Sequence, residues 1–378
     1  MSTTAELRRT HPRPTDPEPT RHPRPSRRAR RTTAAAAAVL LGLTLAACTG
    51  ADAAQQTESG TTVFRYQGST GTVSYPELAA DLGYFEDVEL DWIGDVTGGP
   101  ASIQAAVTGE TEFGGAFNGA IAKLQSTGAP VTSVISYYGA DEQTFGGFYT
   151  VEGSPITSAH DLVGKKVGVN TLGAQSETLL REWLSREGLT PAESAQVELV
   201  VVPPVNAEQT LREGQIDVAS LGGVIKEKAL DRGGLSLLVG ENELYGAFAY
   251  GTYILRDDFI AKNHDAVQDF VQGTARAIRW AQTTPADEVR ERYTSIIEKR
   301  GRGETTDLVP YWKSSSIPTP GGVIQEDEIS VWVDWLEKDG QVDEGALQVD
   351  DLYTNEFNPY ANGTFAPDAG PDGEETAS

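Results

Sequence analysis

Cysteine occurs once in the 378 residues, at position 48. A lone thiol cannot close an intramolecular disulfide, and past Cys48 no thiolate is left for redox chemistry or metal binding. Histidine is almost as scarce: His11, His22, His160 and His264 are far apart, and none sits in an HExxH or comparable ligand spacing. Positive charge is short, with 30 Lys and Arg against 55 Asp and Glu. Nine of those arginines lie in the first 31 residues, so the rest of the chain is more acidic than the formal net charge of −25 indicates. Such a surface excludes nucleic acid as a partner and attraction to anionic lipid by charge. An anionic ligand would have to be held locally, by backbone dipoles and neutral donors. Catalytic signatures are missing too. Val218-Ala219-Ser220-Leu221-Gly222 lacks the first glycine of a nucleophile elbow, and Gly164-Lys165-Lys166 is only half a P-loop. No calcium-loop spacing occurs. The expectation is a protein that is not an enzyme and has no cofactor and no metal.

The two ends have their own character. An Arg- and Pro-rich stretch to Arg31, an apolar run from about Ala34 and the tetrad Leu45-Ala46-Ala47-Cys48 read as a lipoprotein signal peptide over 1–47 with Cys48 as the lipidated residue. The apolar run is too short to span a bilayer comfortably. Residues 48–60 are small and polar, as in a flexible tether, and 362–378 are rich in Gly, Pro, Asp and Glu, as in a disordered acidic tail.

What is present is a repeated strand–turn–helix pattern. Lys165 to Glu177 contains alternating Val167 and Val169, then Asn170-Thr171-Leu172-Gly173, then a helix start at Gln175-Ser176 followed by Leu179, Leu180, Trp183 and Leu184 at helical spacing. A helix N-terminus at the carboxyl end of a strand offers unpaired N–H groups to an anion. Strand and helix patterns alternate from Val63 to Tyr137 and again from Phe148 to Gly240, which predicts mostly parallel α/β sheets. Gln104–Phe113 aligns without gaps with Gln209–Val218, each a helix ending at Gly, an acidic residue and a strand. Two halves of one design follow. Tyr245–Leu255 reads as a return strand, and helical spacing recurs at Ala266–Gln282, Ala286–Lys299, Thr306–Ser314 and Glu326–Lys338.

Thr97-Gly98-Gly99-Pro100 with Gln104-Ala105, Gly109 to Gly114, Gly128-Ala129-Pro130-Val131, Asp161-Leu162-Val163-Gly164-Lys165-Lys166-Val167-Gly168-Val169 and Leu211 to Asp217 together resemble the substrate-binding lipoproteins of ABC importers, in the nitrate/sulfonate/taurine group with its thiamine-precursor-binding relatives. The resemblance covers about Thr61 to Tyr360. It implies a two-lobe periplasmic binding protein fold of type II, with lobe 1 from 61–143 and 246–361, lobe 2 from 144–245, and a ligand cleft between them. Loops at the carboxyl ends of strands would line that cleft: Gln67, Ser69 and Thr70; Gly98 and Gly99; Phe117 and Asn118; Thr171, Gln175 and Ser176; Gly222 and Gly223. Tyr137, Tyr138 and Tyr245 would add aromatic walls. The expected function is capture of a small organic anion, a sulfonate or taurine-like compound, by a monomeric receptor tethered to the membrane by lipid, for delivery to a permease with its ATPase. The alternatives are a thiamine-precursor pyrimidine or other nitrogen heterocycle as ligand, or a non-transport sensor or enzyme on the same fold.

Overall fold

In a computed structural model, residues 55–57 and 60–375 are described. The expected signal peptide, Cys48 and most of the tether lie outside them. The described residues fall within one compact unit, and no described helix is long and apolar enough to cross a membrane. Chain order in the first half is β1 (Thr62–Gly68), α1 (Tyr75–Leu82), β2 (Val88–Asp95), α2 (Gly99–Thr108), β3 (Phe113–Phe117), α3 (Asn118–Ser126) and β4 (Val131–Ala140). The second half has β5 (Gly147–Val151), β6 (Lys166–Val169), α4 (Gln175–Arg186), α5 (Pro191–Ser194), β7 (Glu198–Val201), α6 (Pro204–Arg212), β8 (Val218–Leu221), α7 (Gly223–Asp231), β9 (Leu235–Gly240) and α8 (Glu241–Tyr245). The chain then returns through β10 (Phe248–Arg256), α9 (Asp257–Lys262), α10 (His264–Thr283), α11 (Ala286–Arg300) and α12 (Asp327–Lys338).

The sheets are mixed. β1 and β2 pair in parallel, β10 lies antiparallel between β3 and β4, and the second half has the order β7-β6-β8-β5-β9 with β5 antiparallel to both neighbours. Each of the two reversed strands follows a passage between halves. β5 comes directly after the chain leaves β4, and β10 directly after it leaves β9 and α8.

The motifs singled out in the sequence have structural work. Asp161 accepts hydrogen bonds from the Thr157 and Ser158 N–H groups at a 3-10 turn, Leu162 is fully buried, Gly164 sits at φ +75°, and Val167 and Val169 fill the core under β6. At Gly168 an added Cβ would meet Ile216 Cδ1 at 2.5 Å, so a larger residue there would have to push the Ile216 side chain aside. The internal repeat is visible in hydrogen bonds. Glu112 ahead of β3 donates its N–H to Arg65 O in β1, at 3.0 Å, and its carboxylate accepts the Arg65 N–H at 2.6 Å. Asp217 ahead of β8 does the same to Lys166 in β6, at 2.9 and 2.8 Å. Gly109 and Gly214 turn the chain at φ +75° and +68° in the two copies.

Three expectations change. Thr306–Ser314 holds only a turn and a single 3-10 turn, Val309–Tyr311, because Pro310 supplies no N–H for a longer helix. The far end of the tether is not free: Val63 N–H donates to Gln55 O at 2.8 Å and Gln56 bridges to Thr62. Residues 362–375 pack on α10 instead of trailing away. Arg279 donates to Ala369 O, Arg276 donates to Pro371 O, and Ala369 is buried. Two long cationic side chains thereby satisfy carbonyls that composition alone would leave to water.

Candidate ligand site

The carboxyl ends of the strands in the two halves face each other. Gly98, after β2, lies opposite Thr171, after β6, so closely that a Cβ on Gly98 would stand 3.6 Å from Thr171 Cγ2. Gly222, after β8, abuts Gly146 in the passage between β4 and β5. The expected cleft residues divide into two groups around this line.

At the entrance of α4 the donors are already engaged. Gln175 Nε2 donates to Glu241 Oε1 at 2.9 Å, and Gly146 N–H donates to Glu241 Oε2 at 2.9 Å. Ser220 donates to Ser176 Oγ at 2.9 Å, and Ser176 in turn reaches Asn170 Oδ1 at 3.4 Å. Burial pushes the Glu241 carboxyl up to about 7, against the opposing pull of the Gly146 N–H and of Lys226. Glu241 also ties the two passages together, since its own N–H donates to Gly146 O at 2.9 Å. Sequence reading missed it because it stands 66 residues from its partner Gln175 in an acidic chain.

Other expected residues point elsewhere. Asn118 is 1% exposed and its amide donates to Glu328 O on α12 at 2.8 Å, while its buried Oδ1 meets no donor among the described residues. The Phe117 ring meets Trp332 edge-on at 4.7 Å and covers Gly119. Tyr245 packs against Trp332, Phe248 and Tyr250 beneath the Arg186 guanidinium. These three were expected in the cleft, but α12, distant in sequence, draws them into a shared core. Thr70 donates to Asp95 at 2.9 Å, Ser69 is exposed, Gln67 pairs beside Gly94 at the end of β1, and Gly99 packs on Ala116.

Tyr137 and Gly223 come together in a partly open slot of about 190 Å³ between the halves. Its floor is set by two glycines. A Cβ on Gly115 would strike the Tyr137 ring at 2.7 Å, and one on Gly251 would strike the Tyr138 ring, so both rings lie close over the sheet. Tyr137 stacks on Tyr253 at 4.0 Å. Tyr75, Tyr293, Tyr311 and Trp312 complete the aromatic walls, with Val73, Val224, Leu308 and Val309 between them. Burial pushes the Tyr137 and Tyr138 phenols up, so they stay neutral donors.

Residues 308–316 form a strap over this slot. Within the first half the strap is held by Arg290 donating to Trp312 O at 2.8 Å and Tyr75 donating to Ser315 O at 3.0 Å. It reaches the second half through Lys313 to Glu227 at 2.5 Å and Tyr311 to Asp231 at 3.2 Å. Ser316, at φ +57°, is the one non-glycine residue with positive φ among the described residues. The strap, Glu227 and Lys226 were not anticipated, because the strap's apolar spacing imitates a helix. The slot's charged groups, Glu227 and Lys313, are paired, and Glu227 also meets the buried Lys226 at 2.7 Å.

A larger groove of about 650 Å³ runs between α3 and α12 on one side and α4 and α5 on the other, and Phe117 and Gly173 line it. Of the cations that line it, Arg181 donates to Ser194 O and Lys123 donates to Gln341, and Lys338 stands beside them. Among the described residues no group of three or more His, Cys, Asp or Glu is placed to hold a metal ion.

The alkanesulfonate-binding protein SsuA of Xanthomonas axonopodis pv. citri, bound to MOPS, superposes with a TM-score of 0.60 and 17% identity over 77% of this chain and 98% of its own. The periplasmic nitrate-binding protein NrtA of Synechocystis PCC 6803 gives 0.62 and 12% over 82% and 92%. The fold is thus that of the periplasmic binding proteins, two lobes with a cleft between them. In sequence, the chain is 27% identical over 224 residues to the 4-amino-5-hydroxymethyl-2-methylpyrimidine phosphate synthase of Candida albicans (strain WO-1), covering 56% of this chain and 63% of that relative's length. Residues 76–288, more than half of the chain, match the family model described as NMT1/THI5 like, and the chain belongs to that family.

Proposed function

We propose that the protein is an extracytoplasmic receptor that captures a small, flat nitrogen heterocycle of the pyrimidine class between its lobes and passes it to an ABC permease, without chemical change. The observation that carries this reading is the slot itself: five aromatic side chains line about 190 Å³, and the one cation lining it, Lys313, is already paired with Glu227. Rings stack on such walls. A sulfonate, the first expectation from the sequence, needs free donors, whereas the Gln175 amide already serves Glu241. The name of the Candida albicans relative supports the same class. Lobe closure over the ligand would turn on the two passages joined by Glu241 and Gly146. Lipid on Cys48 would keep the receptor at the membrane, and Cys48→Ser protein should appear in the soluble fraction; its retention on the membrane would refute the anchor.

A thermal-shift panel of aminopyrimidines, alkyl sulfonates, taurine and nitrate tests the ligand class, because a ligand at ~100 times its dissociation constant adds about 2.7 kcal/mol. Pyrimidines should raise the melting temperature and be recovered unaltered. A shift with sulfonates alone overturns the ligand class, and turnover of a bound pyrimidine overturns the receptor.

A further inference from the structure

The following rests on the slot being a site for a flat ring, and it concerns which edge of the ring is read. Glu227 is 9% exposed and its two oxygens are bonded differently: Oε1 lies 2.7 Å from Lys226 Nζ and Oε2 lies 2.5 Å from Lys313 Nζ. The two lysines are not equivalent. Lys226 is almost completely buried, with Nζ 3.9 Å from the centre of the Phe145 ring, and so is a permanent counter-charge. Lys313 is 46% exposed in its side chain and belongs to the strap, which crosses from the other lobe. Solvent screens it, and its long stem can swing away without leaving Glu227 unpaired. Burial acts to raise the Glu227 carboxyl, but the hydrogen bonds from Lys226 and Lys313 outweigh it and hold the group below its usual range. The carboxylate is therefore a charged acceptor on the slot wall.

We propose that Glu227 is the specificity-determining residue of the slot, accepting a hydrogen bond from an exocyclic amino group on the ring, and that Lys313 is the counter-ion the ligand displaces from it. The amino N–H takes the place of the Lys313 ammonium at one carboxylate oxygen, and Lys226 keeps the other. A ring of the same shape with a methyl group in place of the amino group leaves that oxygen facing apolar surface, or leaves Lys313 in the ligand's way. Sites built to hydrogen-bond a substrate group reject the analogue that lacks it.

Calorimetric titration of the soluble protein with 4-amino-2-methylpyrimidine and with 2,4-dimethylpyrimidine tests this. The amino ring should bind wild type about 10- to 100-fold more tightly, the range of one hydrogen bond to a charged group. Glu227→Gln should reduce that ratio to about threefold or less, and Lys313→Met, which removes the competitor, should enlarge it. Equal binding of the two rings to wild type, or an unchanged ratio in Glu227→Gln, overturns the role of Glu227 while leaving the slot as the ring site. Should Glu227→Gln fail to fold, an unchanged or smaller ratio in Lys313→Met overturns it as well. If neither ring binds wild type, the ring-site reading fails and Glu227's role fails with it.

Discussion

Replacing Trp332 tests how the lobes are joined. This residue of α12 is fully buried, and its indole is surrounded by Phe117 at 4.7 Å, Tyr245 at 5.1 Å, and Phe248 and Tyr250 at 6.1 Å. Phe117 comes from the β3–α3 corner, and the other three come from the return passage. Truncation to Ala removes the hub of that cluster and should cost about 3–5 kcal/mol, as large aromatic deletions in cores do. The indole Nε1, however, is buried and meets no acceptor among the described residues. An unsatisfied buried N–H costs about 1–3 kcal/mol, and phenylalanine does not carry it. Trp332→Phe gives up roughly 50 Å² of buried ring, worth about 1.3 kcal/mol at 25 cal/mol/Å². The two terms oppose each other, so Trp332→Phe should lie within about 1 kcal/mol of wild type while Trp332→Ala lies several below. Urea titrations followed by far-ultraviolet circular dichroism measure both. A loss in Trp332→Phe as large as that in Trp332→Ala would refute the reasoning, because it would mean that the indole N–H is satisfied.

Two carboxyls set a pH window. Glu241 and Glu328 are both pushed up to about 7 by burial, Glu328 against the opposing N–H groups of Gln325 and Ala249 and the Ser136 hydroxyl. Between the unfolded value near 4.5 and 7 the folded protein holds protons that the unfolded chain releases, so this contribution is complete below about 4.5 and is lost as pH rises through 7. Stability should fall from pH 5 to 7, by up to ~1.4 kcal/mol per pH unit for Glu328 and less for the partly exposed Glu241, with the melting temperature falling alongside and levelling off by pH 8. Glu328→Gln should flatten that slope, and a melting temperature rising over this range would contradict the assignment. Gly139 and Gly222 form a contrasting pair: a Cβ at Gly139 would meet Phe248 O at 2.4 Å, Ser316 O at 2.6 Å and Ala249 Cα at 2.9 Å, all backbone, whereas one at Gly222 meets only Gly146 Cα at 3.7 Å. Gly139→Ala should therefore lose about 3 kcal/mol in the same urea assay and Gly222→Ala less than about 0.5, and equal losses would count against the geometry.

The architecture was legible in the sequence where it is local. Val167 and Val169, the helix starting at Gln175, and the paired segments at Gln104 and Gln209 each carry their period within about a dozen residues, and the structure keeps them. The site was legible only in part. Tyr137, Gly223, Thr171 and Gly98 are brought to the facing surfaces because they follow strand ends. Asn118, Phe117 and Tyr245 follow strand or passage ends as well, but α12, some 200 residues away from two of them, captures their side chains. No local pattern announces such a contact. Glu227 and Glu241 look like any acid in a chain with 55 of them. The strap misled for a different reason: Leu308, Val309 and Trp312 recur at helical spacing although Pro310 forbids the helix.

The strap also bears on time. It is rooted in one lobe and bonded to α7 of the other through Lys313 and Tyr311, so on the proposed function a ligand entering the slot has to part the Lys313–Glu227 pair, which then stays open while the ligand is bound. Entry, more than departure, is therefore the step that this pair controls, and because it is a half-exposed ion pair, added salt should ease entry.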